Sequence, residues 1–368
     1  MKKIIIALII ILGITSIIIA KNAHDTTQTT TSSNKPTVRI GTSLPLTGNL
    51  AKIGNALHES LLIAKQDIPS NSKYNYELFV EDDSYEMSKI AVNTNNLINL
   101  KNVDVIFSLY DGAAKVMSPI VEKNKVIQIN CGWGGDDYYK YKYSFHHSPT
   151  SKSQAQALTG LLKEKDIKKA SLISINYTVI GEVLDYLKKD LADNNIEIVS
   201  TDLINWGTKD FRTIITKMKQ KDPEIIIVIL GTPEVDLFAK QAKELELNKP
   251  YTSIDMILDS HNLGLYEGSE FVLAPVGSPE FISKFKQQSK YEIETCLANF
   301  YDMMKIITTL YERFDEKPTT DQIVEELHKI KDYDSAVGAK ITIDQNGIMD
   351  SELIRAKVIN GKIKDIRD

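Results

Sequence analysis

Cysteine is scarce in this sequence and basic residues are not in excess, and the two deficits exclude several classes of protein. The 368 residues include 2 Cys and 6 His, and neither type has the spacing of a metal site. The 44 Lys and Arg are outnumbered by 49 Asp and Glu, which leaves a net charge of −5. Nucleic-acid binding requires a concentration of basic residues, so we expect no nucleic-acid partner. We also expect no metal ion and no cofactor.

The few metal-binding and redox-active side chains are placed unfavourably for a shared site. Cys131 and Cys296 lie far apart in the sequence. We expect two buried free thiols, with a disulfide as the alternative if the chain reaches an oxidising compartment. His146 and His147 are adjacent, so on a strand they point to opposite faces and cannot easily share one ion.

Signatures of common enzymes are missing. The sequence contains no GxSxG, no HExxH and no phosphate-binding GxxxxGK[ST] or GxGxxG. Adjacent acids such as Asp136-Asp137 or Glu81-Asp82-Asp83 offer a general acid and base, but such groups are common in loops. We therefore expect that the protein is not an enzyme.

The N-terminus has the layout of an export signal. Lys2 and Lys3 precede an apolar run over residues 4–20, which is slightly short for a membrane span. We expect residues 1–20 to be a cleaved signal peptide, with an uncleaved anchor as the alternative. Residues 21–37 are rich in Thr and Ser and predict a disordered spacer. No Cys follows the apolar run to carry a lipid. The export signal leads us to expect the protein in the periplasm or on the extracellular face of the membrane.

Short apolar runs then alternate with helical patterns, which indicates βαβ units and parallel sheets. The runs VDVIFSL and VIQINC are almost continuously apolar, as strands covered by helices on both faces are. One doubly wound lobe is predicted from strands at 38–44, 76–81, 103–109 and 126–131, with helices at 54–67, 88–100 and 112–123.

The same rhythm restarts after residue 149 and predicts a second doubly wound lobe. Its strands are expected at 170–175, 197–204, 224–230 and 251–257, and its helices at 152–165, 181–194, 210–220 and 233–245. The remaining segments are a strand at 271–274, helices at 279–288, 294–314 and 320–330, and strands at 338–344 and 354–363. An isolated tail of this kind would not make a third domain, so we expect it to complete the two lobes. The fold class is α/β.

Four segments occur in an order that resembles the leucine/isoleucine/valine-binding protein family. They are VRIGTSLPLTGNLAKIG, VEDDSYEMSKIAVNTNNLI, KDFRTIITKMKQKDPEIIIVILGTPEVDLFAKQAKELEL and AVGAKITIDQNGIMDSELIRAKVINGKI. The resemblance implies the type I periplasmic binding fold, with three crossings between lobes near Ser148, Ala274 and Tyr333. Lobe 1 would then comprise 38–148 plus 275–333, and lobe 2 would comprise 149–274 plus 334–368.

The resemblance also implies a function. Members of this family bind a small molecule between the lobes by hinge closure and deliver it to an ABC permease in the inner membrane. We expect the same of this chain, acting as a monomer. The same fold also serves as a ligand sensor, so the alternative is a sensing module without transport, tethered if the signal is uncleaved.

In the first lobe, five residues match family positions that face the ligand. Ile53 takes a place where the family often has an aromatic residue, and it is equally compatible with the core. Asp111, Gly112 and Ala113 occupy the loop that commonly holds a carboxylate. Asp111 would repel a carboxylate and attract a cation, or it caps the helix expected from Gly112. Trp133 offers a stacking face, or it packs against the hinge.

In the second lobe, three residues match ligand-facing positions. Tyr177 is the aromatic residue nearest a loop that usually reads Tyr-Gly, and Thr232 follows a predicted strand. Asp255 would pair with an ammonium group, or it is a solvated loop acid. With Asp111 in the same cleft, Asp255 would favour a cationic or amide-rich solute over a branched-chain amino acid.

Overall fold

Five parallel strands form the first sheet. The computed structural model describes residues 35–132, 134 and 140–366, and Thr37–Asp368 is one compact unit. The expected signal peptide (1–20) and all but the last three residues of the spacer (21–37) lie outside the described residues. The strand order is β2-β1-β3-β4-β5. The strands are β1 (Thr37–Leu44), β2 (Asn75–Asp82), β3 (Val105–Leu109), β4 (Ile127–Cys131) and β5 (Ser144–His146).

Helices cover both faces of this sheet. They are α1 (Ala51–Gln66), α2 (Met87–Asn99) and α3 (Tyr110–Asn124). Along β3, Val105 and Phe107 belong to one hydrophobic cluster, whereas Ile106 belongs to another, together with Ile90 and Leu97 of α2. Successive side chains of a strand point to opposite faces, so a continuously apolar strand supplies two cores.

The second sheet repeats the arrangement with four parallel strands in the order β7-β6-β8-β9. Ile226 and Val228 enter one cluster, and Ile225, Ile227 and Ile229 enter the opposite one. The predicted α/β class with two doubly wound sheets is therefore confirmed. The strands are β6 (Lys169–Ile175), β7 (Glu197–Ile204), β8 (Ile225–Ile229) and β9 (Tyr251–Thr252), and the helices are α4 (Ser151–Glu164), α5 (Thr178–Asp193), α6 (Arg212–Lys221) and α7 (Glu234–Glu244).

The ninth strand is much shorter than predicted. The expectation of a strand over 251–257 is wrong, because β9 has two residues and a 3-10 helix follows at Asp255–Asp259. The buried Ser253 hydroxyl donates to the Val228 carbonyl, and the Ile257 N–H donates to the Ile254 carbonyl at 3.1 Å. These bonds turn the chain away from the ladder.

The last third of the chain adds three helices and two small antiparallel sheets, ordered β10-β14-β15 and β11-β12-β13. The predicted strand over 354–363 is a hairpin that turns at Asn360 and Gly361. The helices are α8 (Pro279–Gln288), α9 (Leu297–Tyr311) and α10 (Thr320–Leu327), and the strands are β10 (Glu270–Leu273), β11 (Tyr333–Asp334), β12 (Lys340–Ile343), β13 (Met349–Ser351), β14 (Ile354–Ile359) and β15 (Lys362–Asp365). Among the described residues, no helix combines the length and apolar character that a membrane crossing requires.

The C-terminal segments complete both lobes, but the third boundary lies later than expected. Ile341, Ile343 and Met349 belong to a hydrophobic cluster of the first lobe, whereas the sequence assigned 334–368 to the second. Backbone hydrogen bonds explain the difference: the Ile343 N–H donates to the Ile330 carbonyl at 3.1 Å, and the His146 N–H donates to the Gly347 carbonyl at 2.9 Å. Ala356 and Val358 of β14 lie in the second lobe. We therefore place the third crossing between β13 and β14.

The two cysteines form a disulfide, so the expectation of free thiols is wrong. Cys131 ends β4 and Cys296 immediately precedes α9, and their Cα atoms are 5.9 Å apart. Cα separations in this range suit a disulfide. The sequence could not reveal the pair because α9 reaches β4 only after the chain has passed through the second lobe.

A buried polar network surrounds the first expected crossing, near Ser148. The Asp302 carboxylate accepts hydrogen bonds from the Ala336 N–H at 2.9 Å and from the Ser335 hydroxyl. His147 Nε2 lies 3.3 Å from the same carboxylate, and the Asn299 side-chain amide donates to the His147 carbonyl at 2.8 Å. These bonds join β5, α9 and the loop before β12.

Candidate functional site

Most of the predicted site residues lie where parallel strands end. Asp111 and Gly112 are in the first turn of α3, directly after β3. Tyr177 follows β6, and Thr232 follows β8. Asp255 begins the 3-10 helix after β9. Ligands of open α/β sheets bind outside the carboxyl ends of the strands, so this placement is that of a binding site.

Asp111 is buried, and one of its carboxylate oxygens is unused. The residue is 4% exposed, and its Oδ2 lies 2.9 Å from Lys115 Nζ. Its Oδ1 has no hydrogen-bond partner within the described residues. An unsatisfied buried acceptor is costly, by about 1–3 kcal/mol. Such an atom at a strand end is a candidate for a ligand's donor.

The helix-capping alternative for Asp111 is not what the structure shows. The helix begins at Tyr110, its N-cap is Leu109, and no side chain caps it. Asp111 is therefore a first-turn residue inside the helix. A carboxylate there still benefits from the positive end of the helix, but it is not the cap.

Two tyrosines surround Asp111. The rings of Tyr85 and Tyr110 meet edge to face with centroids 5.9 Å apart. A Cβ added to Gly112 would lie 3.1 Å from the Tyr85 hydroxyl oxygen, so Gly112 gives the phenol room. Tyr110 adopts the left-handed backbone region with φ 64°. A bulky residue rarely adopts that conformation, and such strain concentrates at functional sites.

The second lobe approaches this cluster through Tyr177. Burial raises the pKa of the Tyr85 phenol, and the phenols of Tyr177 and Tyr110 raise it further, followed by the Asp111 carboxylate. Tyr177 is therefore close enough to act electrostatically on a residue of the first lobe. Its side chain is 52% exposed. The strand ends of the two lobes thus converge on one aromatic and acidic region.

Gly132, the first residue after β4, makes room for a tyrosine ring. Gly132 has φ 129°, and a Cβ there would lie 2.6 Å from Tyr110 Cδ1. The absence of a side chain therefore admits the tyrosine ring. Trp133 lies outside the described residues, as do Asp136 and Asp137, so their roles stay predictions.

Two predicted residues face the core. Ile53 is buried in α1 within the first cluster, which matches its interpretation as a core residue. Ala113 is buried between α2 and α3. The neighbouring Gly54 is required for a steric reason, because a Cβ there would lie 2.1 Å from the Pro45 carbonyl oxygen. The loop that contains Pro45 therefore packs directly against α1 at this glycine.

In the second lobe, Asp255 is tied to the hinge. Its carboxylate accepts the Ala274 N–H at 2.5 Å, next to the second expected crossing, and the residue is half-buried. The alternative of a solvated loop acid is therefore wrong. Thr232 is half-buried and precedes a cis peptide bond to Pro233.

The acids after β2 are structural. Partial burial would raise the pKa of Asp82, but hydrogen bonds from Thr47, Ser84 and Leu46 lower it below its usual value. Asp83 accepts a hydrogen bond from the Ser43 hydroxyl at 2.7 Å. These carboxylates accept hydrogen bonds from β1 and the loop that follows it.

Three residues of the site were missed by the sequence argument. Tyr85 is one, and Trp206, directly after β7, is another with its side chain 52% exposed. Glu234 begins α7 and is 1% exposed. Its Oε1 accepts the Gly207 N–H at 2.6 Å, and its Oε2 has no partner among the described residues. The signal that could have found them is their position within a few residues of the end of a predicted strand.

A metal centre is not formed by the described residues. No group of three or more His, Cys, Asp or Glu side chains in that part of the chain has the arrangement to hold an ion. The adjacent histidines point to different partners: the Asn130 amide group lies 3.5 Å from His146 Nδ1, whereas His147 faces Asp302.

Comparison with known families gives one match over most of the chain. The model described as periplasmic binding protein matches residues 37–362. A curated relative is the leucine-, isoleucine-, valine-, threonine- and alanine-binding protein of Pseudomonas aeruginosa, 22% identical over 218 residues. That match covers 58% of this chain and 58% of the relative, which is less than two thirds of the relative's length.

Solved structures share the whole fold at low identity. A branched-chain amino acid transporter substrate-binding protein of Streptococcus pneumoniae, in complex with isoleucine, is 20% identical with a TM-score of 0.75, and the match covers 89% of this chain and 98% of that one. An ABC transporter solute-binding protein of Rhodopseudomonas palustris, in complex with 3,4-dihydroxybenzoic acid, is 19% identical with a TM-score of 0.76. That match covers 90% of this chain and 96% of the other.

Proposed function

This chain belongs to the periplasmic binding protein family, and from that premise we propose that it is an extracytoplasmic solute-binding protein that captures a small polar solute between its lobes. Its resemblance to the leucine/isoleucine/valine-binding proteins is confirmed. We further propose that the protein delivers its solute to an ABC permease in the inner membrane.

The observation that carries this proposal is the convergence of the two sheets' carboxyl ends. Tyr177 of the second lobe and Asp111 of the first both lie close enough to Tyr85 to raise the pKa of its phenol electrostatically, in addition to burial. The buried Oδ1 of Asp111 offers a hydrogen-bond acceptor there. A concave site with aromatic walls and a few fixed polar groups is typical of small-molecule binding.

The ligand class follows from the same residues. The matched loop of amino-acid binders commonly presents hydroxyls and N–H groups to a carboxylate, whereas this chain has Asp111. We propose an amino acid, an amide or a related amine, including cationic ones. The bound ligands of the two neighbours described above are an amino acid and an aromatic acid. The same fold therefore binds different ligand classes, and the side chains of the site determine which one is bound.

Capture requires a hinge but no nucleophile. A solute that touches both lobes stabilises the closed arrangement by its extra contacts. The proposed crossings lie near Ser148, near Ala274 and between β13 and β14. Asp302 and Asp255 accept backbone hydrogen bonds beside them, which gives the hinge segments fixed anchor points.

The test is a thermal-shift screen of the full chain against amino acids, amides and cationic amines, followed by small-angle X-ray scattering. We expect at least one solute to raise the unfolding temperature and to reduce the radius of gyration. If no member of these classes does either, the proposed function is wrong. In calorimetric titration, leucine, isoleucine and valine are expected to bind weakly, and tight binding of any of them would contradict the ligand class.

Incubation separates binding from catalysis. The solute that shifts the unfolding temperature is incubated with the protein and recovered by denaturation. We expect its mass and retention time to be unchanged, because the proposed function is binding without chemistry. A chemically altered solute would indicate an enzyme.

A further inference from the structure

Trp206 lies across the carboxyl end of the second sheet. A Cβ added to Gly231, just after β8, would lie 2.6 Å from Trp206 Cη2 and 3.2 Å from Met256 Cε. The indole therefore rests on a glycine and beside a methionine, a close approach that any larger residue at 231 would prevent. About half of the side chain, 52%, is still exposed.

Tyr177 stands on the neighbouring strand end. The Asn176 amide donates to the Asn205 side-chain carbonyl at 3.4 Å, and the Asn176 N–H donates to the Ile204 carbonyl at 2.7 Å. These bonds join the segments that lead into Tyr177 and Trp206 at the ends of β6 and β7. Tyr177 is also 52% exposed. Two half-exposed aromatic side chains at strand ends, where open sheets bind ligands, form one side of the site.

Across from them stand Tyr85 and the buried carboxylate of Asp111, whose Oδ1 is unpartnered among the described residues. The loops after the parallel strands add further acids and few bases. Lys115 is paired with Asp111, and Lys209 is exposed. Acids at or within a few residues of the described strand ends include Asp82, Asp83, Asp111, Asp210, Glu234 and Asp255.

We propose that the solute is an ammonium compound with a flat, apolar body, of the arylalkylamine class, and that Trp206 is the platform on which this body stacks. The proposal rests on the function proposed above. The ammonium group donates to Asp111 Oδ1, and the tyrosine rings of the two lobes enclose it. A cation lies favourably near the faces of the tyrosine rings, and the flat body stacks on the indole of Trp206 as aromatic rings do on one another.

Other solute classes fit these groups less well. The α-carboxylate of leucine, or the carboxylate of an aromatic acid, would be repelled by Asp111, whose neighbour Lys115 is already engaged. A small aliphatic cation would satisfy Asp111 but leave the indole face of Trp206 in water. An aromatic amine satisfies both.

The experiment is calorimetric titration of the full chain with four probes: 2-phenylethylamine, butylamine, benzoate and leucine. We expect 2-phenylethylamine to bind at least tenfold more tightly than each of the others. Asp111→Asn is expected to weaken 2-phenylethylamine binding by tenfold or more. Equal or tighter binding of benzoate or leucine would overturn the inference, and so would an absence of measurable 2-phenylethylamine binding.

The platform is tested with variants at two positions. Trp206→Leu and Gly231→Ala are expected to weaken 2-phenylethylamine binding by about tenfold while leaving butylamine unaffected, because each removes or displaces the ring. Trp206→Phe keeps a smaller ring and retains most of the affinity, which guards against misfolding as the cause. Leu203→Ala, at another exposed apolar residue of β7, is the matched control. An equal loss of affinity for 2-phenylethylamine and butylamine in these variants would contradict a stacking role for Trp206.

Failure of this inference is distinguishable from failure of the proposed function. If leucine or benzoate binds and compacts the protein in solution scattering, the protein is a solute-binding protein and only the solute class is wrong. If 2-phenylethylamine binds without compaction and Asp111→Asn has no effect, binding lies outside the cleft and the inference is overturned.

Discussion

Asp111 and Lys115 form the pair that sets the charge of the site. Their side chains lie one helical turn apart on α3, with Lys115 Nζ 2.9 Å from Asp111 Oδ2. Lys115 reduces the attraction that Asp111 exerts on a cation, because opposite charges at contact distance compensate each other. The strength of the site for cations therefore depends on a residue that need not touch the solute.

Replacing Lys115 tests this dependence. Lys115→Gln is expected to strengthen 2-phenylethylamine binding by about tenfold at low salt, corresponding to roughly 1.4 kcal/mol, with a smaller gain at high salt. Calorimetric titration at two ionic strengths measures it. Lys163→Gln, an exposed lysine of α4, is the control. Unchanged or weaker binding in Lys115→Gln would show that Asp111 does not hold the ammonium group.

His146 makes the stability of the fold depend on pH. Burial, with a smaller contribution from the neighbouring His147, lowers the pKa of its imidazole to about 3. In the unfolded chain the imidazole titrates near its ordinary value of about 6.5. Between these two values the unfolded state binds the proton and the folded state does not. The stability that this group contributes is therefore complete above about pH 6.5 and is lost as the pH falls towards 3.

A variant at His146 tests this pH dependence of the free energy of unfolding. His146→Asn is expected to remove a loss of about 1.4 kcal/mol per pH unit in the free energy of unfolding between pH 6.5 and 4. Urea unfolding of the original chain and the variant across this range gives the difference. The exposed His261 serves as control through His261→Asn, which is expected to leave the slope unchanged. Parallel curves for His146→Asn and the original chain would contradict burial of a neutral imidazole.

At the level of elements, local signals fixed many boundaries and long-range contacts changed others. α8 begins at Pro279, as predicted, because the Ser278 side chain accepts the Phe281 N–H and proline suits the first helical position. β9 ended early because the Ser253 hydroxyl bonds to a distant carbonyl. The sheet of β11, β12 and β13 stayed with the first lobe through contacts with β5 and residue 330. Neither interaction has a signature in its own segment.

The disulfide joins two elements that frame the site. Cys131 ends the strand that leads into the glycine turn, and Cys296 starts the buried helix α9. A covalent link between them restricts the unfolded chain and fixes the end of β4. It also suits a protein of an oxidising compartment, as the export signal predicts.

Removal of this link is expected to lower stability. The double variant Cys131→Ser and Cys296→Ser is expected to unfold at about 2–5 kcal/mol lower free energy than the oxidised chain. Urea unfolding with and without reductant measures the change, and reductant is expected to have no effect on the double variant. Equal stability of oxidised and reduced chains would argue that the two thiols are not joined in solution.

On the scale of the whole molecule, the sequence predicted the architecture better than the site. The strand and helix periods were sufficient for two doubly wound sheets, because each buried strand must be apolar on both faces. The site depends on groups brought together from different lobes. Tyr85 and Trp206 were missed because their positions in the site depend on contacts with Gly112 and Gly231, which are distant in sequence. Ile53 was open to two interpretations, and burial in the core supports one.

In the proposed function, the protein holds one solute between its two lobes, at the convergent strand ends and the buried Asp111 carboxylate. The most direct test is to purify the full chain without added ligand, denature it and identify by mass spectrometry what is released. We predict up to one equivalent of a small molecule with an ammonium or amide group, in lower amount from Asp111→Asn. Release of a carboxylate without such a group, in equal amount from both proteins, would contradict the account.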